Sequence, residues 1–399
     1  MKRYIAPILA LLLYIPHVGD FFLSDDFNIL LRGRNCGFFE LLTRGDGQFF
    51  RPFVHIFFKL FDVLFGLNPL PYHLFVFVIF AVTVYLVYIL ARKLELSENA
   101  ALFGSLFFAL HFVHLEPVIW LASASDIFMT LFGLLFLLQL RAERIWASSI
   151  FLGLALLSKE SGAFLLLLIP FFTRDKRALF LLIPLAAYTA LRLPGMLAET
   201  GDSYSIAVGL NTMKNLGFFT TALFFPLDFH SLAAGGLSGM PLYAIAAVIV
   251  SFVLYGLLVI KGITRRFALM AIAVFLPFLL VNGSGYRFLL FPSIFFCIAL
   301  GQLLAERKKG IWIAAIPIFI LLLVINIRAG RYWSTGSEIT ASTSRTIEES
   351  PADCFRVSEP PDNFHGAYVF RNGLESLAAL HGKYIGTDSD CTELIFLSP

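Results

Sequence analysis

The chain has 399 residues, of which 58% are hydrophobic and only 14% are charged. A soluble globular domain carries about a quarter charged residues, so this composition excludes that class and predicts a polytopic membrane protein. The net charge of +3 gives no reason to expect a nucleic-acid partner. The four cysteines show no spacing typical of a metal ribbon.

Eleven apolar runs are long enough, or nearly so, to cross a bilayer as helices. In chain order they are residues 4–23, 72–91, 99–113, 118–140, 145–158, 161–173, 178–193, 241–260, 267–283, 287–304 and 311–328. Several are shorter than the usual ~20 residues. Short spans are expected where helices end in a cavity lined by protein.

Basic residues cluster in alternate connections between these runs, and cytoplasmic loops are enriched in Lys and Arg. The clusters are Lys2/Arg3, Arg92/Lys93, Arg141/Arg144, Arg174/Lys176/Arg177, Lys261/Arg265/Arg266 and Arg307/Lys308/Lys309. With these connections inside, the N-terminus is predicted to be cytoplasmic and the C-terminus extracytoplasmic. The remaining connections, which hold most of the unusual titratable residues, are then extracytoplasmic.

Two further apolar segments are not predicted to be ordinary spans. Residues 50–67 are amphipathic and predict a helix that lies on the outer surface of the membrane. Residues 209–226 have extracytoplasmic flanks if the charge rule holds, which favours a re-entrant or surface helix. The alternative is a full span, which would invert the topology of everything after it.

The composition changes after Ile327, and residues 329–399 are polar without a span. The sequence therefore predicts a transmembrane domain at 1–328 and a small extracytoplasmic tail domain at 329–399. Cys354 and Cys391 lie in the tail, where an oxidising compartment would allow a disulfide. Two free thiols are the alternative.

Asp25 and Asp26 follow the first apolar run directly. Adjacent carboxylates repel each other, and charge at a membrane boundary is costly unless it has a use. A carboxylate there can act as the general base for an acceptor hydroxyl. The alternative is that the pair only marks the end of the first helix.

Three cations on the predicted outer side, Arg51, Lys159 and Arg287, are candidates for binding a phosphate. Arg51 alone could also extend its charge to lipid headgroups, and Lys159 could simply neutralise its neighbour Glu160. Glu160 and Tyr286 adjoin two of these cations and are candidates for contacting substrate.

His111, His114 and Glu116 end the third apolar run and could bind substrate or ligate a metal. Their spacing matches no dedicated metal motif, and Pro117 interrupts any helical register. Asp126 falls inside the following apolar run, where an ionisable residue is a functional candidate. Ser123 and Ser125 could help to solvate it.

In order along the chain, these residues resemble the GT-C superfamily of membrane glycosyltransferases, most closely the tetratricopeptide-bearing O-mannosyltransferases and their bacterial relatives. The resemblance covers roughly residues 1–305. Its motifs are Asp25-Asp26, Arg51-Pro52, His111-x-x-His114-x-Glu116-x-x-x-Trp120, the turn at 122–126, Ser158-Lys159-Glu160-x-Gly162 and Tyr286-Arg287-x-Leu289-x-x-Pro292-Ser293. The sequence departs from the family pattern in that no repeat array follows the membrane part. The turn also differs, since it reads Ser123-Ala124-Ser125-Asp126.

The resemblance implies a GT-C-like helical bundle that transfers a monosaccharide from a polyprenyl-phosphate donor on the extracytoplasmic face. It implies Asp25 as the general base, with Asp26 positioning the acceptor, and the three cations Arg51, Lys159 and Arg287 holding the lipid phosphate. The acceptor would be a glycan, lipid or protein, reached from the periplasm or exterior of a bacterial inner membrane. Inverting displacement at the anomeric carbon needs no metal or other cofactor, since cationic side chains can neutralise the phosphate.

Three other classes of function share parts of this sequence pattern. A lipid or glycan transporter would also carry charges in a cavity, but it should show echoes between its halves, which the sequence lacks. A lipid-linked glycan polymerase or ligase would share an extracytoplasmic site. A non-catalytic scaffold that presents the tail is a further alternative.

Overall fold

The computed structural model describes residues 1–45, 49–198, 208–226, 242–282, 285–306, 310–387 and 391–396. Helices form most of this structure, which confirms the predicted all-α membrane class. The α-helices are Ile5–Tyr14, Asp25–Asn35, Phe38–Thr43, Pro52–Phe65, Pro69–Lys93, Glu98–Leu110, Leu115–Ile119, Ala124–Arg141, Ile145–Ser158, Ile169–Phe172, Leu182–Ala198, Leu210–Ala222, Leu242–Ile260, Gly262–Phe275, Pro292–Ala305, Gly310–Glu349 and Leu374–Leu380. Turns of 3-10 helix lie at Lys2–Tyr4, Ile15–His17, Phe112–His114, Leu121–Ser123, Glu160–Leu168, Lys176–Leu181, Leu276–Leu280 and Tyr286–Leu289.

Among the described residues, five helices are long and apolar enough to cross a membrane. They are Pro69–Lys93, Leu121–Arg141, Leu242–Ile260, Gly262–Leu280 and Ala315–Glu349. The pair Glu98–Leu110 and Phe112–Ile119, bent by 51°, makes a sixth if it is one broken span. Several of the eleven predicted runs are therefore shorter helices, such as Ile145–Ser158 and Glu160–Phe172.

The first apolar run is helical for less of its length than its hydrophobicity predicts. Its α-helix ends at Tyr14, followed by one turn of 3-10 helix to His17. His17 Nδ1 then contacts Asp20 Oδ2 at 2.9 Å and Ser334 Oγ at 3.1 Å. Residues 18–24 lie outside helices and lead directly to the acidic pair.

The predicted surface helix is present as Pro52–Phe65, starting with proline at its first position and ending before Gly66 at φ 57°. One side of this helix buries Val54 and Phe58, while Val63 and Leu64 on another side are largely exposed. An exposed apolar stripe of this kind is typical of a helix in a membrane interface.

The helix Leu210–Ala222 occupies most of the segment 209–226. Thirteen residues of α-helix are about 20 Å long, shorter than the ~30 Å hydrocarbon core. The Asn215 side chain donates to the carbonyl of Val281 at 2.8 Å. This length favours the re-entrant or surface alternative, although the flanks 199–207 and 227–241 lie outside the described residues.

Two glycines allow a close contact between helices in the bundle. A Cβ on Gly301 would lie 2.3 Å from the backbone nitrogen of Gly104. The helices Glu98–Leu110 and Pro292–Ala305 can approach this closely only because both positions lack side chains. Their packing fixes the turns at 111–116 and 285–291 next to each other.

The predicted domain boundary at 328/329 falls within the continuous helix Gly310–Glu349. Forty residues of helix extend about 60 Å, twice the hydrocarbon thickness, so its second half projects beyond the apolar region. There Thr340 Oγ1 donates to the carbonyl of Phe22 at 2.8 Å. The tail is therefore connected to the bundle by a rigid helix rather than by a flexible linker.

The tail contains strands that the sequence did not predict. Cys354–Arg356 lies between Tyr384–Ile385 and Thr392–Glu393 in a parallel sheet, and Asn363–Phe364 pairs antiparallel with Ala367–Tyr368. A disulfide joins Cys354 to Cys391, as the first of the two alternatives for these cysteines expected. This cross-link ties the central strand of the sheet to the residue that precedes its last strand.

Candidate active site

The acidic pair begins the helix Asp25–Asn35, and the tail lies directly against it. Ser24, the residue before the pair, has φ 47° and donates its backbone N–H to the carbonyl of Val369 at 2.9 Å. A Cβ on Gly373 would lie 2.2 Å from the carbonyl oxygen of Ser24. With φ 91° as well, position 373 requires glycine for two separate reasons.

The Asp26 carboxylate is buried and is held by two backbone amides. Leu23 N donates to Oδ2 at 2.9 Å, and Ala122 N donates to Oδ1 at 2.6 Å. Burial raises the pKa of Asp26 well above its ordinary value; these two donors oppose the rise, and the nearby charge of Asp25 adds to it. Asp26 therefore fastens two loops together and is poorly placed to meet an acceptor.

Asp25 is the more accessible carboxylate of the pair. Asn372, in the tail, donates its side-chain amide to Asp25 Oδ1 at 2.9 Å. Hydrogen bonding of this kind fixes the orientation of a carboxylate without neutralising it. The tail thus contributes a group that orients the predicted general base.

Each of the three predicted phosphate-binding cations is paired with one of the predicted acidic residues. Arg51 donates through Nε and Nη2 to the two oxygens of Glu160 at 2.9 Å and 2.5 Å. Lys159 Nζ lies 2.6 Å from both oxygens of Asp126, and both side chains are 3% exposed. Charges buried in this way need such partners, so Lys159 and Glu160 do not simply neutralise each other in a turn.

The third pair joins Arg287 to Glu116. Arg287 Nη1 donates to Glu116 Oε1 at 2.9 Å, while the backbone N–H of Tyr286 donates to Oε2 at 2.9 Å. The Arg287 side chain is 15% exposed. Glu116 thereby positions both Tyr286 and Arg287, and the Arg287 side chain of this ion pair remains partly exposed.

Two of the pairs meet at the Phe288 ring. Lys159 Nζ and Arg287 Cζ each lie 5.4 Å from the centroid of this ring. A small cavity beside the ring is lined by Asp126 and Arg287, and also by Ser161. The residues predicted from three separate stretches of sequence therefore converge on one region.

The two histidines are buried structural groups in this arrangement. His111 Nε2 lies 3.2 Å from the carbonyl of Leu223, and His114 Nε2 lies 2.8 Å from Ser293 Oγ. Phe108 packs against His114 with ring centroids 4.4 Å apart. Within the described residues, no group of three or more His, Cys, Asp or Glu side chains is arranged to hold a metal ion.

Trp120 connects the acidic loop to the cations, a role that the sequence did not assign. Its Nε1 donates to the carbonyl of Leu23 at 3.2 Å, and Arg287 Cζ lies 5.0 Å from its ring centroid. Its ring also packs on Tyr368 of the tail at 4.7 Å. Trp120 stands in the motif that begins at His111, so its position was visible in the sequence although its partners were not.

Comparison with solved structures finds a protein with a similar fold. ArnT from Cupriavidus metallidurans bound to undecaprenyl phosphate superposes with a TM-score of 0.51 and 14% sequence identity, covering 94% of this chain and 73% of ArnT. The same protein in the apo state gives a TM-score of 0.48 and 15% identity over the same shares. No family model and no curated protein matches the sequence.

The Asp126–Lys159 pair generates a stability prediction. Asp126→Asn leaves the Lys159 ammonium buried without its counter-charge, which should cost roughly 3–5 kcal/mol. The double variant Asp126→Leu/Lys159→Met removes both charges and should unfold close to the wild-type temperature. Thermal unfolding in detergent measures both effects.

The matched control is Glu95→Gln, because Glu95 is 83% exposed in its pair with Arg141. Exposed pairs contribute little to stability. If Asp126→Asn unfolds at the same temperature as Glu95→Gln, the buried pair does not hold the site together.

Proposed function

We propose that this chain, whose fold is similar to that of ArnT from Cupriavidus metallidurans, is an inverting glycosyltransferase of the GT-C superfamily. It moves a monosaccharide from a polyprenyl-phosphate donor to an acceptor hydroxyl on the extracytoplasmic face of a bacterial inner membrane. The observation that carries this proposal is the placement of Trp120, which binds the loop of the acidic pair through Leu23 and holds Arg287 against its ring. Carboxylate and cation are thereby kept on neighbouring parts of one site.

Asp25 acts as the general base in this proposal. It is accessible, Asn372 orients it, and it follows directly on the backbone that Trp120 and Asp26 hold in place. As the acceptor oxygen attacks the anomeric carbon, its proton passes to the Asp25 carboxylate. The bond between the anomeric carbon and the phosphate oxygen breaks, and attack from the opposite face inverts the configuration.

Arg287 and Arg51 bind the leaving phosphate in this proposal. Their side chains are 15% and 19% exposed, against 3% for Lys159. A guanidinium carries five N–H donors, so a phosphate can share Arg287 with Glu116 instead of displacing it. Lys159 is buried beside Phe288, and its positive charge adds to the attraction of the two arginines for the phosphate.

The donor is the part of the proposal that the structural neighbour supports. ArnT from Cupriavidus metallidurans was crystallised with undecaprenyl phosphate, the lipid product that a polyprenyl-phosphate sugar would release. A monophosphate leaving group needs cations at the site, and three lie here within paired, preorganised positions. The pairs also explain how these charges are retained close to a membrane.

Replacement of the general base should abolish transfer without unfolding the protein. Asp25→Asn keeps the shape and the bond to Asn372 but removes the base, so turnover should fall by about 10²- to 10⁴-fold. Purified protein would be given labelled polyprenyl-phosphate sugars and a panel of acceptors. Unfolding temperature would be recorded on the same samples.

Two variants serve as comparisons. Asp26→Asn should lower the unfolding temperature, since it disturbs the two backbone hydrogen bonds at a buried carboxylate. Glu359→Gln, at an exposed position in the tail, should change neither property. Wild-type turnover by Asp25→Asn would rule out Asp25 as the base, and no transfer by wild type from any donor would overturn the proposed activity.

The proposed orientation predicts which positions a membrane-impermeant maleimide reaches in intact cells. Ser358→Cys in the tail should be labelled from outside, and Ala142→Cys, in a basic connection, only after the membrane is permeabilised. Both are exposed, and Cys36 would first be replaced by serine. Labelling of both cysteines from the same side would contradict an external site beneath the tail.

A further inference from the structure

A cavity of ≈ 510 Å³ lies between the bundle and the tail. The reaction proposed above assigns it no role. This junction cavity is bounded on the bundle side by Phe112, Glu116 and Tyr286, and on the other side by the helix Gly310–Glu349 and the tail hairpin. Its volume falls within the ~300–1,000 Å³ range of small-molecule sites. A cavity of this size at a domain junction is large enough to hold part of a substrate.

One wall of the junction cavity is aromatic. Tyr332 and Trp333 come from the long helix, and Tyr368 comes from the tail hairpin. Trp333 and Tyr368 meet edge to face at 6.0 Å, and the His365 ring packs against Tyr332 at 4.7 Å, tilted by 32°. Aromatic faces carry negative partial charge, so they attract the C–H face of a pyranose ring.

The rim of the same cavity is polar and offers both donors and acceptors. Asp362, Asn363, His365 and Arg371 line it and are exposed. Asn363 donates to Asp362 Oδ2 at 3.0 Å, and Arg371 Cζ lies 5.3 Å from the ring centroid of Tyr368. Sugar hydroxyls donate and accept at once, and this mixed rim matches them better than it matches a lipid chain or a single anion.

The junction cavity also adjoins the proposed reaction centre. Glu116, in its wall, is the partner of Arg287. Arg371, in its rim, immediately precedes Asn372, which holds Asp25. The cavity therefore shares Glu116 with the proposed phosphate site, and its rim is adjacent in the chain to the residue that bonds the proposed base.

We infer that the acceptor is a saccharide and that the junction cavity binds it, with Tyr332 stacking on a sugar ring and Asp362 and His365 bonding its hydroxyls. The role of the saccharide as acceptor rests on the proposed function. The binding of a saccharide in the junction cavity does not depend on it. The tail supplies most of the rim and lies outside the apolar region. A glycan that extends away from the membrane can enter there, whereas the donor's lipid chain approaches from the bundle.

The first test measures binding without turnover. Free oligosaccharides of several compositions would be titrated into the purified full-length protein with no donor present, followed by saturation-transfer NMR and calorimetry. Binding of at least one oligosaccharide, weakened about tenfold in Tyr332→Ala, Asp362→Asn or His365→Ala, is expected for the loss of one contact. Glu359→Gln, in the same tail but outside the cavity, should bind as wild type.

The second test assigns the bound sugar to acceptor or donor. In the transfer assay, the three cavity variants should raise the acceptor KM about tenfold and leave the donor KM unchanged, with unfolding temperatures equal to wild type. A raised donor KM with an unchanged acceptor KM would place the donor sugar in the cavity and overturn the inference. So would unchanged saccharide binding in all three folded variants. Saccharide binding without any transfer would instead overturn the proposed function and leave the cavity's ligand class established.

Discussion

The two hydrogen bonds from backbone amides to the buried Asp26 carboxylate are the constraint on which the site depends. One amide belongs to the loop that follows the first helix, and the other, at Ala122, belongs to the turn before the helix Ala124–Arg141. Since a buried carboxylate without partners would be very costly, this arrangement holds the two segments at one fixed spacing. It sets where Asp25 stands and where the Trp120 ring lies.

Three buried or half-buried ion pairs, Arg51–Glu160, Lys159–Asp126 and Arg287–Glu116, extend this framework to the neighbouring loops. Breaking one pair leaves a charge where water cannot solvate it, so the pairs specify a single arrangement of the loops that carry them. The same pairs lower the cost of placing cations near a membrane, where an unpaired charge is unfavourable. The long helix Gly310–Glu349 then brings the tail onto the acidic loop, where Asn372 meets Asp25. Such an arrangement of contacts is suited to the preorganised electrostatic catalysis that we propose.

Much of this could be predicted from the sequence, because charge and hydrophobicity sort residues by their depth in the membrane. That sorting placed Asp126, Lys159 and Arg287 on one side, but partner choice depends on contacts between distant segments. Lys159 finds Asp126 across 33 positions and Arg287 finds Glu116 across 171. The contact of Asn372 with Asp25 spans 347 positions, and no local pattern signals it. The strands of the tail escaped prediction because each has only two or three residues, too few for an alternating pattern.

The central claim is that Asp25 and Arg287 act on opposite sides of one sugar. A cryo-electron microscopy structure with a non-transferable polyprenyl-phosphate sugar, such as a phosphonate analogue, tests it most directly. We expect the phosphonate within hydrogen-bond distance of the Arg287 guanidinium and the anomeric carbon facing the Asp25 carboxylate. A headgroup bound away from Arg287 and Arg51, with its sugar turned from Asp25, would contradict the claim.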